Sequence, residues 1–280
     1  MRASPPPFSS GQVFITSIWT ALRTEAEDAA RTEPGLAPFL REALLKHPDF
    51  STALAQNLGR RLGILENQEA MIRDVCLEAL AADPSLAEAA ARDMNASHER
   101  DPACRSWLQP FLYFKGVAAL ETQRVGHWLW QRGRTTLAFH LQSLASQLFQ
   151  VDIHPATILG TGIFLDHATG VVIGETSTVG DDVSILHAVT LGGTGRERGD
   201  RHPKIGRGVL ISAGAKILGN VTVGEEARIA AGSVVLTDVP PHVTVAGVPA
   251  RPIRGPTSPH PAEAMEQSFL PLSSVSEHKV

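Results

Sequence analysis

The sequence predicts an α + β protein in which an N-terminal α-helical domain, residues 1–150, precedes a parallel β-helix of hexapeptide repeats, residues 151–255. Three observations carry this. Of the fifteen aromatic residues, thirteen lie at or before Phe149. Glycine does the reverse, with seven before residue 150 and seventeen after it. From Ile153 onward an aliphatic residue recurs at every sixth position, a period that suits neither an amphipathic helix nor an alternating strand. Residues 256–280 carry no period, are rich in proline, serine and charge, and are expected to form a disordered tail.

In the first part, Leu137, Leu141, Leu144 and Leu148 are spaced four, three and four apart, one face of an amphipathic helix. Asp83 followed by Pro84 marks a helix start, with a capping carboxylate and a proline whose missing N–H costs nothing in the first turn. Leu86 and Ala90 open the apolar stripe behind it. Pro34, Pro38, Pro48, Pro102 and Pro110 divide the rest into short helices. Such a part can be a bundle, a docking platform or an oligomerisation module, and by itself it carries no chemistry.

The second part parses into units led by Ile153, Leu159 and Leu165, then, after two extra residues (Val171 and Val172), by Ile173, Val179, Ile185 and Leu191. Thirteen residues intervene before the period resumes at Ile205, Ile211, Ile217, Val223, Ile229 and Val235. The fifth position is small or β-branched, from Thr157, Ile163 and Thr169 to Ser233 and Val239. Short strands joined by tight turns satisfy this pattern when each coil takes three units, with the first-position aliphatics stacked inside. The segment from Gly192 to Lys204 breaks the period and holds four glycines, as functional loops on a rigid scaffold do.

The whole-chain numbers exclude several classes. A net charge of −4 and a pI near 6.3 argue against an electrostatic nucleic-acid binder. The apolar runs fall short of a membrane span, and the N-terminus lacks the apolar core of a secretory signal. Cys76 and Cys104 are too few for a disulfide framework and wrongly spaced for a zinc site. A soluble cytoplasmic protein is the expectation.

Several strings narrow the reading: Arg100-Asp-Pro-Ala103, Gly126-His-Trp-Leu-Trp130, Val151-Asp-Ile-His-Pro155, Leu165-Asp-His-Ala-Thr-Gly170, Thr190-Leu-Gly-Gly-Thr-Gly195, Gly199-Asp-Arg-His-Pro-Lys204 and Ala246-Gly-Val-Pro-Ala250. Together they resemble the serine O-acetyltransferases of the hexapeptide-repeat acyltransferase superfamily, over roughly residues 14 to 255. The resemblance implies a left-handed β-helix, although ordinary parallel crossovers are right-handed. It implies acetyl transfer from acetyl-CoA, a co-substrate, to the hydroxyl of L-serine in cysteine biosynthesis, with no permanently bound cofactor and no metal. It further implies trimers paired through the helical domains into hexamers, and feedback inhibition by L-cysteine.

Acyl transfer to an alcohol needs a base and stabilisation of an oxyanion. His167 matches the family's catalytic base, and Asp152 would orient its imidazole. By resemblance, Asp101 and Asp166 face the ammonium of serine or cysteine, while Arg201 and His202 address the carboxylate. The planar fork of arginine suits that partner. Both cysteines lie outside these motifs, which favours direct transfer over an acyl-enzyme. Small residues line the expected acetyl-CoA track: Gly193, with Ala213 and Ala231 eighteen residues apart, one full coil.

Other readings stay open. His154, His167, His187 and His202 suit a zinc-dependent, carbonic-anhydrase-like hexapeptide protein, and a non-catalytic scaffold needs no site at all. Homoserine is a near acceptor, and His187 stands where a different polar residue is expected. In the family the C-terminus docks into cysteine synthase through a terminal isoleucine; here Val280 keeps the carboxylate and a branched side chain, with Lys279 beside it.

Overall fold

In a computed structural model, residues 11–64, 68–195, 198–254 and 258–269 are described. Seven α-helices come first among them: α1 (Gly11–Thr32), α2 (Ala37–Leu40), α3 (Phe50–Leu62), α4 (Glu69–Ala82), α5 (Ser85–Arg100), α6 (Lys115–Gln131) and α7 (Thr135–Phe149). The predicted leucine face lies on α7 and buries Leu141 and Leu144. At the start of α5, Asp83 accepts from the Ser85 N–H at 3.1 Å and its hydroxyl at 2.6 Å, so the expected cap forms. Gln150 then turns the chain out of α7 in a left-handed conformation, φ 57°.

The remainder is a parallel β-helix with three faces. The first face carries β1 (Val151–Ile153), β4 (Val171–Ile173), β7 (Thr190–Gly192), β10 (Lys216–Leu218) and β13 (Val234–Val235). The second carries β2 (Ile158–Leu159), β5 (Thr178–Val179), β8 (Lys204–Ile205) and β11 (Thr222–Val223). The third carries β3 (Phe164–Leu165), β6 (Ser184–Ile185), β9 (Leu210–Ile211), β12 (Arg228–Ile229) and β14 (Thr244–Gly247), closed by the antiparallel β15 (Ala250–Arg254). The stacked interior holds Ile153, Ile173, Leu191, Ile217 and Val235 on the first face and Leu165, Ile185, Ile211 and Ile229 on the third, all buried. Burying such aliphatics is worth about 1.5–3 kcal/mol each.

One register differs from expectation. Val171, not Thr169, fills the interior fifth position: it is fully buried beside Val189 and Ala215, whereas Thr169 is exposed. The two extra residues therefore lie within the turn Asp166–Gly170, which bulges from the prism. His167 and Ala168 both take positive φ there, 55° and 57°, a conformation uncommon for non-glycine residues and frequent at functional sites.

A second difference concerns the end of the chain. Residues 258–269, expected to belong to the disordered tail, pack instead against the third face, where Arg228 and Ser184 bond to them. Val280 and Lys279 lie outside the described residues. Among those described, no helix is long and apolar enough to cross a membrane.

The helices seat on the first coil through a buried ionic cluster. Arg124 of α6 donates to Asp93 of α5 at 3.0 and 2.5 Å and to the Gly160 carbonyl at 2.7 Å. The other oxygen of Asp93 accepts from the Ile163 N–H at 2.8 Å. Glu121 completes the cluster, and burial with Asp93 nearby pushes its carboxyl well above the usual range. Where α6 begins, a Cβ at Gly116 would overlap the Leu165 carbonyl, so only glycine permits this approach.

Candidate active site

The expected site residues fall on two edges of the prism. At the edge where the third face turns into the first stand Asp166 and His167, facing Asp101 at the end of α5. These residues, with Tyr113, Phe114 and Lys115, line a cleft of about 440 Å³. The His167 side chain is 76% exposed, and its Nε2 lies 3.7 Å from Asp166 Oδ1. Burial raises the Asp166 carboxyl, while the His167 and His187 imidazoles pull it down and Asp101 pushes it up. Asp101 spends one carboxylate oxygen on the Ala103 N–H, at 2.7 Å, which fixes its loop.

His187 belongs to this group, and sequence reasoning left it without a role. Its ring centroid is 6.0 Å from that of His167, one coil up. Backbone bonds stack the same column onward: Ala188 N–H to the Thr169 carbonyl, Gly214 N–H to the His187 carbonyl, Gly232 N–H to the Ala213 carbonyl, at 2.7, 3.0 and 2.9 Å. Thr169, His187, Ala213 and Ala231 thus form one line along the edge. The signal was present in the coil spacing, once the two extra residues are placed in the turn before Gly170.

The second edge, where the first face turns into the second, carries Arg201 and His202. Arg201 is held by Glu175, Nη2 to Oε2 at 2.7 Å. His202 is largely buried, and its Nδ1 accepts from the Thr176 N–H at 3.2 Å and faces the Thr176 hydroxyl at 2.9 Å. That assigns the proton to Nε2. Burial lowers the His202 pKa, helped by the Arg201 charge, so the ring is a neutral donor beside a fixed cation. Its ring sits on Gly174, where any Cβ would overlap it. Gly193 also packs here, its added Cβ falling 3.4 Å from His202 Nε2. It therefore does not join the Ala213–Ala231 line, because it follows β7 at the end of the first face, whereas Ala213 and Ala231 precede β10 and β13 at its start.

Asp152 stands between the edges on the first face. Its carboxylate accepts from Gln142 Nε2 at 2.6 Å, not from His167. It neighbours the bulged turn nonetheless: Gln150, two residues earlier, accepts from the Gly170 N–H at 2.8 Å. The two groups of expected site residues are separated by the length of three-residue strands, roughly 10 Å. One chain does not bring Asp101, Asp166 and His167 onto Arg201 and His202.

This architecture, with a polar site on the edges of a β-helix of about five turns, defines a hexapeptide-repeat transferase. A family profile described as "Serine acetyltransferase, N-terminal" matches residues 18–122, and "Bacterial transferase hexapeptide (six repeats)" matches residues 202–237. The serine acetyltransferase of Escherichia coli strain K12 is 51% identical over 261 residues, 93% of this chain and 96% of that protein. The crystal structure of serine acetyltransferase from Vibrio cholerae is 54% identical, with a TM-score of 0.89 over 91% of this chain and 98% of that one. A serine acetyltransferase in complex with cysteine is 47% identical, with a TM-score of 0.89 over 91% and 99% of the two chains. Similar structures also include a Brucella abortus complex with coenzyme A (50% identical, TM-score 0.85, 88% and 98% covered). A soybean complex with serine is 49% identical, with a TM-score of 0.84 and 86% and 99% covered. The chain belongs to the serine acetyltransferase family. It is an acyltransferase with the family's left-handed β-helix.

Proposed function

We propose that the chain makes O-acetyl-L-serine and CoA from L-serine and acetyl-CoA in the cytoplasmic synthesis of cysteine, by direct attack with His167 as base. The observation that carries this is the exposed His167, lifted on its bulge beside the Asp101–Asp166 pair at the foot of the Ala213–Ala231 line. His167 takes the proton of the serine hydroxyl as its oxygen attacks the thioester carbonyl. The tetrahedral oxyanion collapses, the C–S bond breaks, and the imidazolium returns the proton to the CoA sulfur. His187 stands next to the developing oxyanion as a donor.

Asp152 orients His167 from the adjoining face in this reading. Asp101 and Asp166 hold the ammonium. Arg201 and His202 bind the carboxylate from the second edge, and since one chain keeps the edges apart, the site completes between two copies in a trimer. The helical residues 1–150 pair trimers and supply Asp101, residues 151–255 carry the chemistry, and the stretch beyond 256 leads to the Val280 carboxylate, which docks into cysteine synthase. Acetyl-CoA lies along Ala213, Ala231 and the partner edge's Gly193. L-Cysteine, differing from serine by sulfur for oxygen, competes for the same groups.

The zinc alternative needs three histidines on one ion. The structure pairs His167 with His187 on one edge and sets His154 with His202 on the other. The deciding experiment is thiol release from acetyl-CoA across L-serine, L-homoserine and sugar alcohols. Turnover with L-serine, relieved of L-cysteine inhibition by excess serine, is expected; preference for another acceptor overturns the reading.

A further inference from the structure

The outward positions of the third face are covered, and those of the other faces are not. Phe164, Ser184, Leu210, Arg228 and Thr244 stand in register across neighbouring strands, and each is 2% exposed or less. On the other faces the corresponding Val172 and Ile158 are 39% and 57% exposed. Helices α5 and α6 cover the Phe164 end, with Arg100 donating to Ser184 Oγ at 3.1 Å, and the segment 258–269 covers the rest. Ser184 donates to the Ala262 carbonyl at 2.9 Å, and the fully buried Ala262 packs with Leu186, Leu210 and Met265.

Arg228 holds the far end of this segment. Its Nη1 lies 2.7 Å from Glu266 Oε1 and donates to the Glu266 and Ser268 carbonyls at 2.9 and 3.3 Å. Its Nε donates to Thr244 Oγ1 at 3.0 Å, and its guanidinium lies 5.2 Å from the Phe269 ring centre. A guanidinium on an outward position is solvated whenever the face is bare. Covered, it demands a carboxylate, because an uncompensated buried charge is strongly unfavourable. The segment supplies that carboxylate in Glu266.

The same segment reaches the site. Glu263, Met265 and Gln267 line one side of a second cleft, of about 530 Å³, which adjoins the His167 cleft and shares Asp101, Phe164 and Asp166 with it. We propose that residues 258–269 form the outer wall of the amino-acid cleft and that Arg228, through Glu266, is the positioning residue that latches this wall in place. The inference rests on the reading of Asp101 and Asp166 as the ammonium side of the serine site. Met265 and Gln267 then confine the acceptor, and Glu263 joins Glu99, Asp101 and Asp166 at the end that receives its ammonium.

The test uses the full chain carrying Glu266→Gln, with Arg228→Lys as the conservative variant. Amide hydrogen exchange over 258–269 is read beside steady-state kinetics. Removing the Glu266 charge is expected to speed exchange in that segment about tenfold or more and to raise the serine KM about tenfold. The kcat should stay within about twofold while the serine KM rises, a split that general unfolding would not give. Arg228→Lys, which keeps the charge and loses the fork, should fall between. Ala262→Arg pries the segment off without touching the β-helix and should reproduce the KM effect. Faster exchange with an unchanged serine KM overturns the wall; unchanged exchange overturns the latch. Failure of the wild-type chain to acetylate serine would sink the site reading alone, since exchange tests the latch without turnover.

Discussion

His167 sits on backbone that most residues avoid, with φ 55° in a turn longer than its neighbours by two residues. That bulge lifts the imidazole off the prism, where an acceptor hydroxyl can meet it. His167→Ala is expected to lower kcat by about 10²–10⁴-fold with acetyl-CoA binding retained, measured by stopped turnover and calorimetry. A loss below tenfold would assign the base elsewhere. Asp152→Asn and Asp166→Asn separate the proposed roles of two carboxylates: the first should act on kcat, the second on the serine KM. At the other edge Gly174→Ala should displace the His202 ring, whose atoms occupy the place of the new Cβ. A serine KM raised about tenfold, with about 1–3 kcal/mol of stability lost to overpacking, is expected. His167, His202 and Arg201 stand out in the sequence because short strings mark them. Glu175 and Thr176 do not, since their contacts to Arg201 and His202 come from a coil away, and His187 shows only in the coil spacing once the insertion is placed.

At the scale of elements, the six-residue period made the β-helix legible from Ile153 to Val235. The same periodicity misplaced its own insertion, because Val171 and Thr169 are both β-branched and only burial distinguishes them. The segment 258–269 escaped notice since it forms no period and is fixed by one arginine from another part of the chain. Helix α6 shows a related blindness: its buried Glu121, Gln123 and Arg124 read as surface residues until Asp93 is placed against them. Burial raises both carboxyls, but Asp93 holds the guanidinium and an amide, so Glu121 is the carboxyl with the greater pull on a proton. The folded chain binds that proton more tightly than the unfolded chain does. Its stabilising contribution is therefore fully present below the ordinary glutamate pKa and is lost as pH rises towards the elevated folded value, by up to about 1.4 kcal/mol per pH unit. Glu121→Gln should match the wild type near about pH 5 and exceed it near about pH 8 in urea midpoint. Parallel curves for the two proteins would place the proton elsewhere.

For the whole molecule, the proposed roles place the serine-binding groups of one chain on two different edges. Asp101, Asp166 and His167 occupy one edge and Arg201 with His202 the next, across roughly 10 Å of strand. A cyclic trimer of β-helices resolves this, because a head-to-tail interface brings one edge of a copy against the other edge of its neighbour. The arrangement makes a prediction that a self-contained site does not share. His167→Ala spoils the first edge and Arg201→Ala the second, so each homotrimer should be nearly inactive. Co-expressed in equal amounts they mix at random, and each interface draws its first edge from one copy and its second from the next. A working pair needs the first edge of the Arg201→Ala chain and the second edge of the His167→Ala chain, which occurs at about one interface in four. Two affinity tags remove the homotrimers, and each mixed ring then holds one working interface of its three, so the isolated mixed trimers should regain about a third of the wild-type kcat with an ordinary serine KM. Activity in the mixture no greater than the mean of the two separate variants would show that each chain binds serine alone.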